Sequence, residues 1–242
     1  MFEGRYANFY DLFHFSKNYQ MEVKSIINLL QPENMNSLKG FDYGCGTGSH
    51  AIAFLEHGIC VDGYDQSEDM ISIARAKTSH LKFSSNYRDF SGSYDFTYSL
   101  FDVLSYQITE EGAKHLINRL FEKSVSGGIT LVDSWNRDGV KLSPPLSNSR
   151  SVQTPDGEII RKVSPRKVVR DNIYELDISL VFTSTNEVLQ KSVHSLRAWS
   201  PDEVIEMMAE IGYKHFKIYN PASVDAKPKR DDWRFGIRAK KV

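Results

Sequence analysis

The chain has 242 residues, 40% of them hydrophobic and 25% charged, with a formal net charge of −1. That length is one large domain or a core with an insert, and it can bury a sizeable core. Near-neutral charge gives no field to attract nucleic acid or an anionic membrane, and no apolar run reaches the ~18 residues of a membrane span. Residues 1–5 lack the basic-then-apolar plan of a signal peptide. The two cysteines, Cys45 and Cys60, form no disulfide framework and no metal-spaced set; both read as small buried thiols. A cytoplasmic location is expected.

The first half of the chain alternates helix and strand signals. Residues 20–31 form an amphipathic helix with Val23, Ile26, Ile27 and Leu30 on one face. A strand is expected at 38–42, a helix at 49–57 and a strand at 59–64. Ser67 caps a helix that buries Met70, Ile71 and Ala74. Strands follow at 81–85 and 94–100. Thr109 opens a helix carrying Ala113, Leu116, Ile117 and Leu120. Ser126-Gly127-Gly128 reads as a turn, and 129–135 as a fifth strand. Such alternation argues for a parallel, doubly wound sheet.

The pattern then changes. Residues 136–150 read as loop, with Pro144 and Pro145. Three antiparallel stretches follow at 158–163, 173–183 and 188–199. Ser200-Pro201-Asp202-Glu203 restarts a helix that Gly212 ends. Strands at 216–219 and 233–239 close the chain, around a charged, exposed loop at 226–232.

Chemistry concentrates at residues 40–65. Gly44, Gly46 and Gly48 lie between a strand and a helix, where missing Cβ atoms let a ligand approach backbone. Asp65, 21 residues after Gly44, ends the next strand and can accept both hydroxyls of a ribose. A dinucleotide fingerprint would need its third glycine at position 49, which is Ser49, so another adenosine ligand is favoured.

Asp42 and Cys45-Gly46-Thr47-Gly48 resemble motif I of the class I S-adenosylmethionine (SAM) methyltransferases. Val61 through Met70, with Ala74-Arg75, resembles their motif II, and Leu81 through Phe90 their third strand, with Asn86 where the family has an acid for the adenine amino group. Asp89 is the alternative acid there. The resemblance implies a Rossmann-like α/β fold: a seven-stranded, mostly parallel sheet with helices on both faces, plus an inserted antiparallel β meander. The core would be 1–135 and 196–242, with a lid at about 1–30 and the insert at 136–195. It implies SAM as cofactor, S-adenosylhomocysteine as product and no metal. Cofactor contacts are expected from Tyr19, Asp42, Gly44, Cys45, Gly46, Asp65, Gln66, Met70, Asn86, Tyr87, Ser99 and Leu100.

Tyr6 through His14 with Tyr19, Val132 through Trp135, Val193 through Arg197, and Asp232-Trp233 resemble bacterial deoxysugar N,N-dimethyltransferases and related polysaccharide-cluster enzymes. The implied acceptor is a small molecule, an amino sugar or sugar nucleotide. Another small amine, an amino acid or a polar metabolite is the alternative. An NAD-dependent oxidoreductase and a catalytically silent SAM-binding protein are readings of other classes. No Asn/Asp-Pro-Pro-aromatic tetrapeptide follows the fourth strand, and neither nucleic acid nor membrane is an expected partner. His194, His14 and Tyr10 are the expected catalytic residues, and Phe101, Asp133, Trp135 and Arg197 the expected acceptor contacts. His194 and Arg197 are both expected to turn inward. His50 either faces the cofactor or solvent. The basic stretch Arg161, Lys162, Arg166, Lys167 and Arg170 either holds an acceptor diphosphate or is a solvated face. Whether the insert also makes a homodimer contact is left open.

Overall fold

Apolar side chains with β propensity fill the short strands Lys39–Tyr43 (β1), Cys60–Tyr64 (β2), Phe83–Ser84 (β3), Tyr94–Ser99 (β4) and Ser124–Trp135 (β5). The computed structural model describes residues 4–30, 38–170 and 172–242, with backbone alone at 167–170. The expected helix end at Gln31 and the side chains of Lys167 and Arg170 lie outside the described residues. Helices Arg5–Phe13 (α1), Tyr19–Leu30 (α2), Ser49–Leu55 (α3), Glu68–Lys77 (α4) and Glu110–Lys123 (α5) alternate with these strands. Ser67 caps α4 by accepting from the Met70 N–H.

After β5 come Arg137–Leu142 (α6) and four strands: Asn148–Thr154 (β6), Gly157–Arg170 (β7), Ile173–Phe182 (β8) and Glu187–Arg197 (β9). Helix Pro201–Ile211 (α7) starts with a complete Ser200–Glu203 capping box and ends at Gly212 in the left-handed region. Strands Tyr213–Tyr219 (β10) and Arg234–Lys241 (β11) finish the chain.

The main sheet has seven strands in the order β10-β11-β5-β4-β1-β2-β3. β1 through β5 pair in parallel, and β11 runs antiparallel to both neighbours. One face is covered by α2 and α3, the other by α5 and α7. The second sheet is the antiparallel meander β6-β7-β8-β9. Its apolar side, with Val152, Ile159, Val163, Leu176, Ile178, Leu180 and Leu196, packs against α1 residues Tyr6, Ala7 and Phe13 in a third buried cluster with Trp135. The carboxyl ends of β1, β2 and β4 therefore face a space roofed by α1 and walled by the meander.

Three local expectations need correction. Residues 126–128 do not separate a helix from a strand: they lie inside β5, where Gly127 has φ 81° beside a register irregularity against β4. Residues 136–150 hold α6 and the start of β6. α6 is short and is pinned from outside, by Asn136 N–H to the Trp233 carbonyl and Arg137 N–H to the Trp199 carbonyl, both 2.8 Å. β6 is an edge strand whose sequence, Asn-Ser-Arg-Ser-Val-Gln-Thr, has no apolar alternation because its side chains are mostly exposed. Cys60 is exposed, while Cys45 is buried as expected.

Candidate active site

A cavity of about 550 Å³ opens between the glycine loop, α1 and the meander. On one side it is lined by Gly44, Gly46, Tyr43, Tyr64, Asp65, Gln66, Met70, Leu100 and Val103. Gly44 has φ 88°, and a Cβ there would stand 2.7 Å from Val103 Cγ2. Gly46 has φ 54°, and the place of its missing Cβ is open, with no atom within 4 Å. Backbone is thus offered to a ligand where a side chain would intrude. Asp65 locks the loop: its carboxylate accepts the Gly46 N–H at 2.9 Å and the Ser67 N–H at 2.9 Å. Burial raises its pKa against those two bonds. Each carboxylate oxygen keeps a further lone pair for a ribose hydroxyl. This cradle fits an adenosine ligand.

The other side is assembled from distant segments. α1 supplies Tyr6, Tyr10 and His14; the turn after β4 supplies Phe101, Asp102, Tyr106 and Gln107; the meander supplies Arg161, Leu176, Ile178 and Leu196; Trp135, Trp233 and Arg234 complete it. Arg161 Nε donates to the Tyr6 hydroxyl at 2.8 Å. Arg234 pairs with the Asp102 carboxylate. Tyr106 OH lies 3.0 Å from His194 Nδ1, and His194 Nε2 lies 2.9 Å from Ser192 Oγ. Burial and the Arg161 charge push the pKa of His194 down to about 4; burial, Arg161, Arg150 and Lys17 do the same for His14. Both imidazoles are neutral at pH 7.

α1 is fastened over the cavity at several points. The Asp11 carboxylate accepts from Thr47 Oγ1 at 2.6 Å, in the glycine loop, and pairs with Lys77 Nζ at 2.6 Å. Arg150 of β6 donates to the Phe13 carbonyl at 2.6 Å, and Gln190 of β9 accepts from Tyr6 N–H at 2.7 Å.

Of the residues expected from sequence, Tyr10, His14, Gly44, Gly46, Asp65, Gln66, Met70, Leu100, Phe101 and Trp135 line this cavity. Asp42 is buried beneath the loop, where burial and the nearby Asp65 raise its pKa. Cys45 is buried with its Sγ toward its own loop. Ser99 spends its hydroxyl on the Tyr43 carbonyl at 2.8 Å. Asn86 caps a 3₁₀ turn: its Oδ1 accepts from Arg88 N–H and its Nδ2 donates to Asp89 Oδ1. Asp89 thereby closes that loop. Tyr87 donates to the Arg119 carbonyl at 2.8 Å. Tyr19 packs edge-on against His50, ring centres 4.9 Å apart, and His50 is itself buried against Glu22 at 2.9 Å.

His194 and Arg197 do not both turn inward. They stand three apart on β9, and successive side chains of a strand alternate faces. His194 lies on the buried face, behind Tyr106 and not on the cavity surface. Arg197 points the other way, stacking 3.6 Å from the Trp199 ring centre and pairing with Glu203. Asp133 lines a smaller neighbouring cavity of about 290 Å³ with Lys17, Glu22, Tyr219 and Asp232. Phe101, Leu100, Trp233 and Arg234 face both cavities. Sequence reasoning missed Tyr6, Asp102, Tyr106 and Arg234 as lining residues. The spacing 6, 9, 10, 13 is an amphipathic helical face that identifies Tyr6; nothing local marks the others.

Residues 41–128 match a family model described as a methyltransferase domain. A solved SAM-dependent methyltransferase from Clostridium acetobutylicum superposes with TM-score 0.76 at 17% identity, covering 98% of both chains. The sugar N-methyltransferase KedS8 from Streptoalloteichus superposes with TM-score 0.75 at 17% identity, covering 96% of this chain and 92% of its own. By sequence, the chain is 29% identical over 140 residues to a dTDP-3-amino-3,4,6-trideoxy-alpha-D-glucopyranose N,N-dimethyltransferase from Streptomyces venezuelae, 56% of this chain and 59% of that one. The chain therefore spans little more than half the length of that relative. Among the described residues there is no cluster of three or more His, Cys, Asp or Glu placed to hold a metal ion, and no helix long and apolar enough to cross a membrane.

Proposed function

We propose that this chain transfers a methyl group from SAM to the amino nitrogen of a small acceptor, an amino sugar carried on a nucleoside diphosphate. The observation that carries the reading is the division of the cavity: a backbone cradle with a carboxylate able to accept ribose hydroxyls on one side, and an aromatic chamber holding Arg161 and the Arg234–Asp102 ion pair on the other. When bound, SAM supplies an electrophilic methyl on a sulfonium and requires no metal. Gly44, Gly46 and Asp65 would hold its nucleoside, and Leu100 and Phe101 border the junction of the two sides.

The protein's own work is alignment and exclusion of water. α1 closes the top through Asp11, and Trp135, Trp233, Leu176 and Ile178 keep the chamber apolar. Tyr106 and Arg161 are the polar handles. The Tyr106 hydroxyl can bond the acceptor's amine or a neighbouring hydroxyl, and Arg161 can bond a phosphate oxygen. An amine is favoured over a hydroxyl nucleophile because the lining groups are poor bases at neutral pH. His14 has its pKa near 4, Asp65 is occupied by backbone N–H groups, and Asp102 is paired with Arg234. A neutral amine attacks with its own lone pair, whereas a hydroxyl wants a general base. The curated relatives named for dTDP-amino sugars support the same class.

The test is a competition. The full chain is incubated with SAM, a dTDP-3-amino sugar and its 3-hydroxy counterpart, and products are read by mass spectrometry. Methylation of the amine alone is expected. Methylation of the hydroxyl sugar at a similar rate, or of simple amines but no sugar nucleotide, would discard the acceptor assignment.

A further inference from the structure

The turn that follows β4 has a conformation that its residues do not favour. Phe101 and Asp102 both lie in the left-handed region, at φ 66° and 68°, with no glycine between them. Two successive L residues stay there only if neighbouring structure insists. The insistence comes from one side chain on the adjacent strand. Asp133 Oδ2 accepts the Phe101 N–H at 3.0 Å, and Asp133 Oδ1 accepts the Asp102 N–H at 2.8 Å. Successive N–H groups converging on one anion form a nest, here filled from within the protein.

The consequences of that turn reach both halves of the cavity. The Phe101 ring stands where the lid meets the sheet: Lys17 Nζ lies 4.3 Å from its centre, the Arg234 guanidinium 5.2 Å and the His14 ring 5.3 Å. Asp102 also starts the 3₁₀ turn Val103–Tyr106, which carries Tyr106 into the acceptor chamber. The next residues of β5 strap the same turn down, through Trp135 N–H to Ser105 Oγ at 2.9 Å and a Ser105–Ser134 hydroxyl contact at 3.0 Å. Asp133 is buried and lines the neighbouring cavity, away from the acceptor chamber.

We infer that Asp133 is a positioning residue: by holding the Phe101–Asp102 turn left-handed, it sets Phe101 and Tyr106 against the methyl-transfer site and gives the lid its seat. This rests on the methyltransferase reading for its kinetic consequence but not for its structural one. Burial and the neighbouring Asp102 push its carboxyl pKa up to about 7, against Arg234 and the two N–H bonds, so the nest is sensitive to the side chain's state.

The experiment compares the wild-type chain with Asp133→Asn, which keeps the shape but turns an NH₂ toward one of the two donors. Hydrogen exchange is read at the Phe101 and Asp102 amides, SAM affinity by calorimetry, and transfer to the acceptor by steady-state kinetics. In the wild type these two amides should exchange as slowly as those of β4. In the variant they should exchange at least ~10-fold faster while β1 and β4 keep their protection. SAM affinity should hold within about threefold, and kcat should fall roughly 10-fold or more, as when a positioning contact is lost. If Asp133→Asn does not fold, Asp133→Ser is put through the same comparison. Fast exchange at these amides in the wild type, protection retained in the variant, or protection lost with kcat unchanged would each overturn the inference. The exchange result needs no acceptor, so an incorrect substrate assignment leaves it readable.

Discussion

The two sides of the cavity are built by different rules. The side proposed for the cofactor comes mainly from one stretch, residues 43–70, with Leu100 and Val103 beside it, and offers mostly backbone and a single carboxylate. The acceptor side draws on α1, the β4 turn, the meander and β11, and offers side chains. A binding surface made of local backbone is fixed by glycine positions and strand ends. One made of side chains from distant segments is fixed only by tertiary packing. The first should therefore break at single residues, and the second should degrade by degrees.

The largest expected effect tests the first half of that statement. Asp65→Ala removes the acceptor for two ribose hydroxyls and for the Gly46 and Ser67 N–H groups. Two charge-assisted bonds lost should weaken SAM binding by about 2–4 kcal/mol. Calorimetric titration with SAM checks this, and unchanged affinity would place the nucleoside elsewhere. NAD should give no thermal stabilisation of either protein.

The acid dependence of stability belongs to the other side. His194 is fully buried and its pKa is lowered to about 4 by burial and Arg161. Above the unfolded value of about 6.5 both states are neutral and nothing is lost. As pH falls below that, the unfolded chain takes a proton that the folded one refuses until about 4. Folding stability should therefore drop between those values, by up to about 3 kcal/mol from this residue. Urea denaturation at pH 7.5 and 4.5 measures the drop. His14, whose pKa is lowered as far, contributes a drop of its own, so His194→Asn should remove about half of the total, and an undiminished drop in that variant would assign the effect to other groups.

The same division explains what could be read in the chain beforehand. β1, α3, β2 and α4 were legible because their signals are local: apolar runs, glycines with room for backbone, Ser67 at a cap, Asp65 at a strand end. The meander was legible from the alternation of Ile178, Leu180 and Phe182 in β8 and from the β character of the stretches on either side. β6 was not, since an edge strand held by backbone bonds needs no apolar side chains, and α6 was not, since loops from 199 and 233 hold it. The pairing of His194 with Arg197 shows that a rule was available and unused: period two forbids a common face for residues three apart. Tyr106 and Arg234 were beyond reach. Tyr106 sits in a 3₁₀ turn, and only the register of Arg234 opposite Trp135 brings it to the cavity.

A smaller loss is expected at the meander. Arg161 is the cation that β7 sends into the chamber, held by Tyr6 from the lid. Arg161→Gln should cost about 1.5–3 kcal/mol of acceptor binding if it meets a phosphate oxygen. That is a rise in acceptor KM of roughly 10- to 100-fold with SAM affinity unchanged. Steady-state kinetics on a nucleotide sugar and on the free sugar separate the cases. If both acceptors lose equally, Arg161 acts through Tyr6 and the lid and not through a phosphate.

The mildest expected effect is at Tyr106, and it sharpens the contrast most. Tyr106→Phe removes one hydroxyl from the acceptor chamber and leaves the ring, its packing on His194 and the 3₁₀ turn in place. It also leaves His194 Nδ1 without the hydroxyl now 3.0 Å away. A neutral hydrogen bond to the acceptor is worth about 0.5–1.5 kcal/mol. The expected change is thus a fall in kcat/KM of roughly 2- to 10-fold, read in single-turnover and steady-state assays. A general acid or base at this position would cost ~10²-fold or more. A loss of that size, with a changed pH profile that His194→Asn reproduces, would mean that Tyr106 and His194 move a proton together. A loss within tenfold, insensitive to pH between 6 and 9, is what a side-chain-built surface that only orients its acceptor should give, since neither the neutral phenol nor the neutral imidazole titrates in that interval.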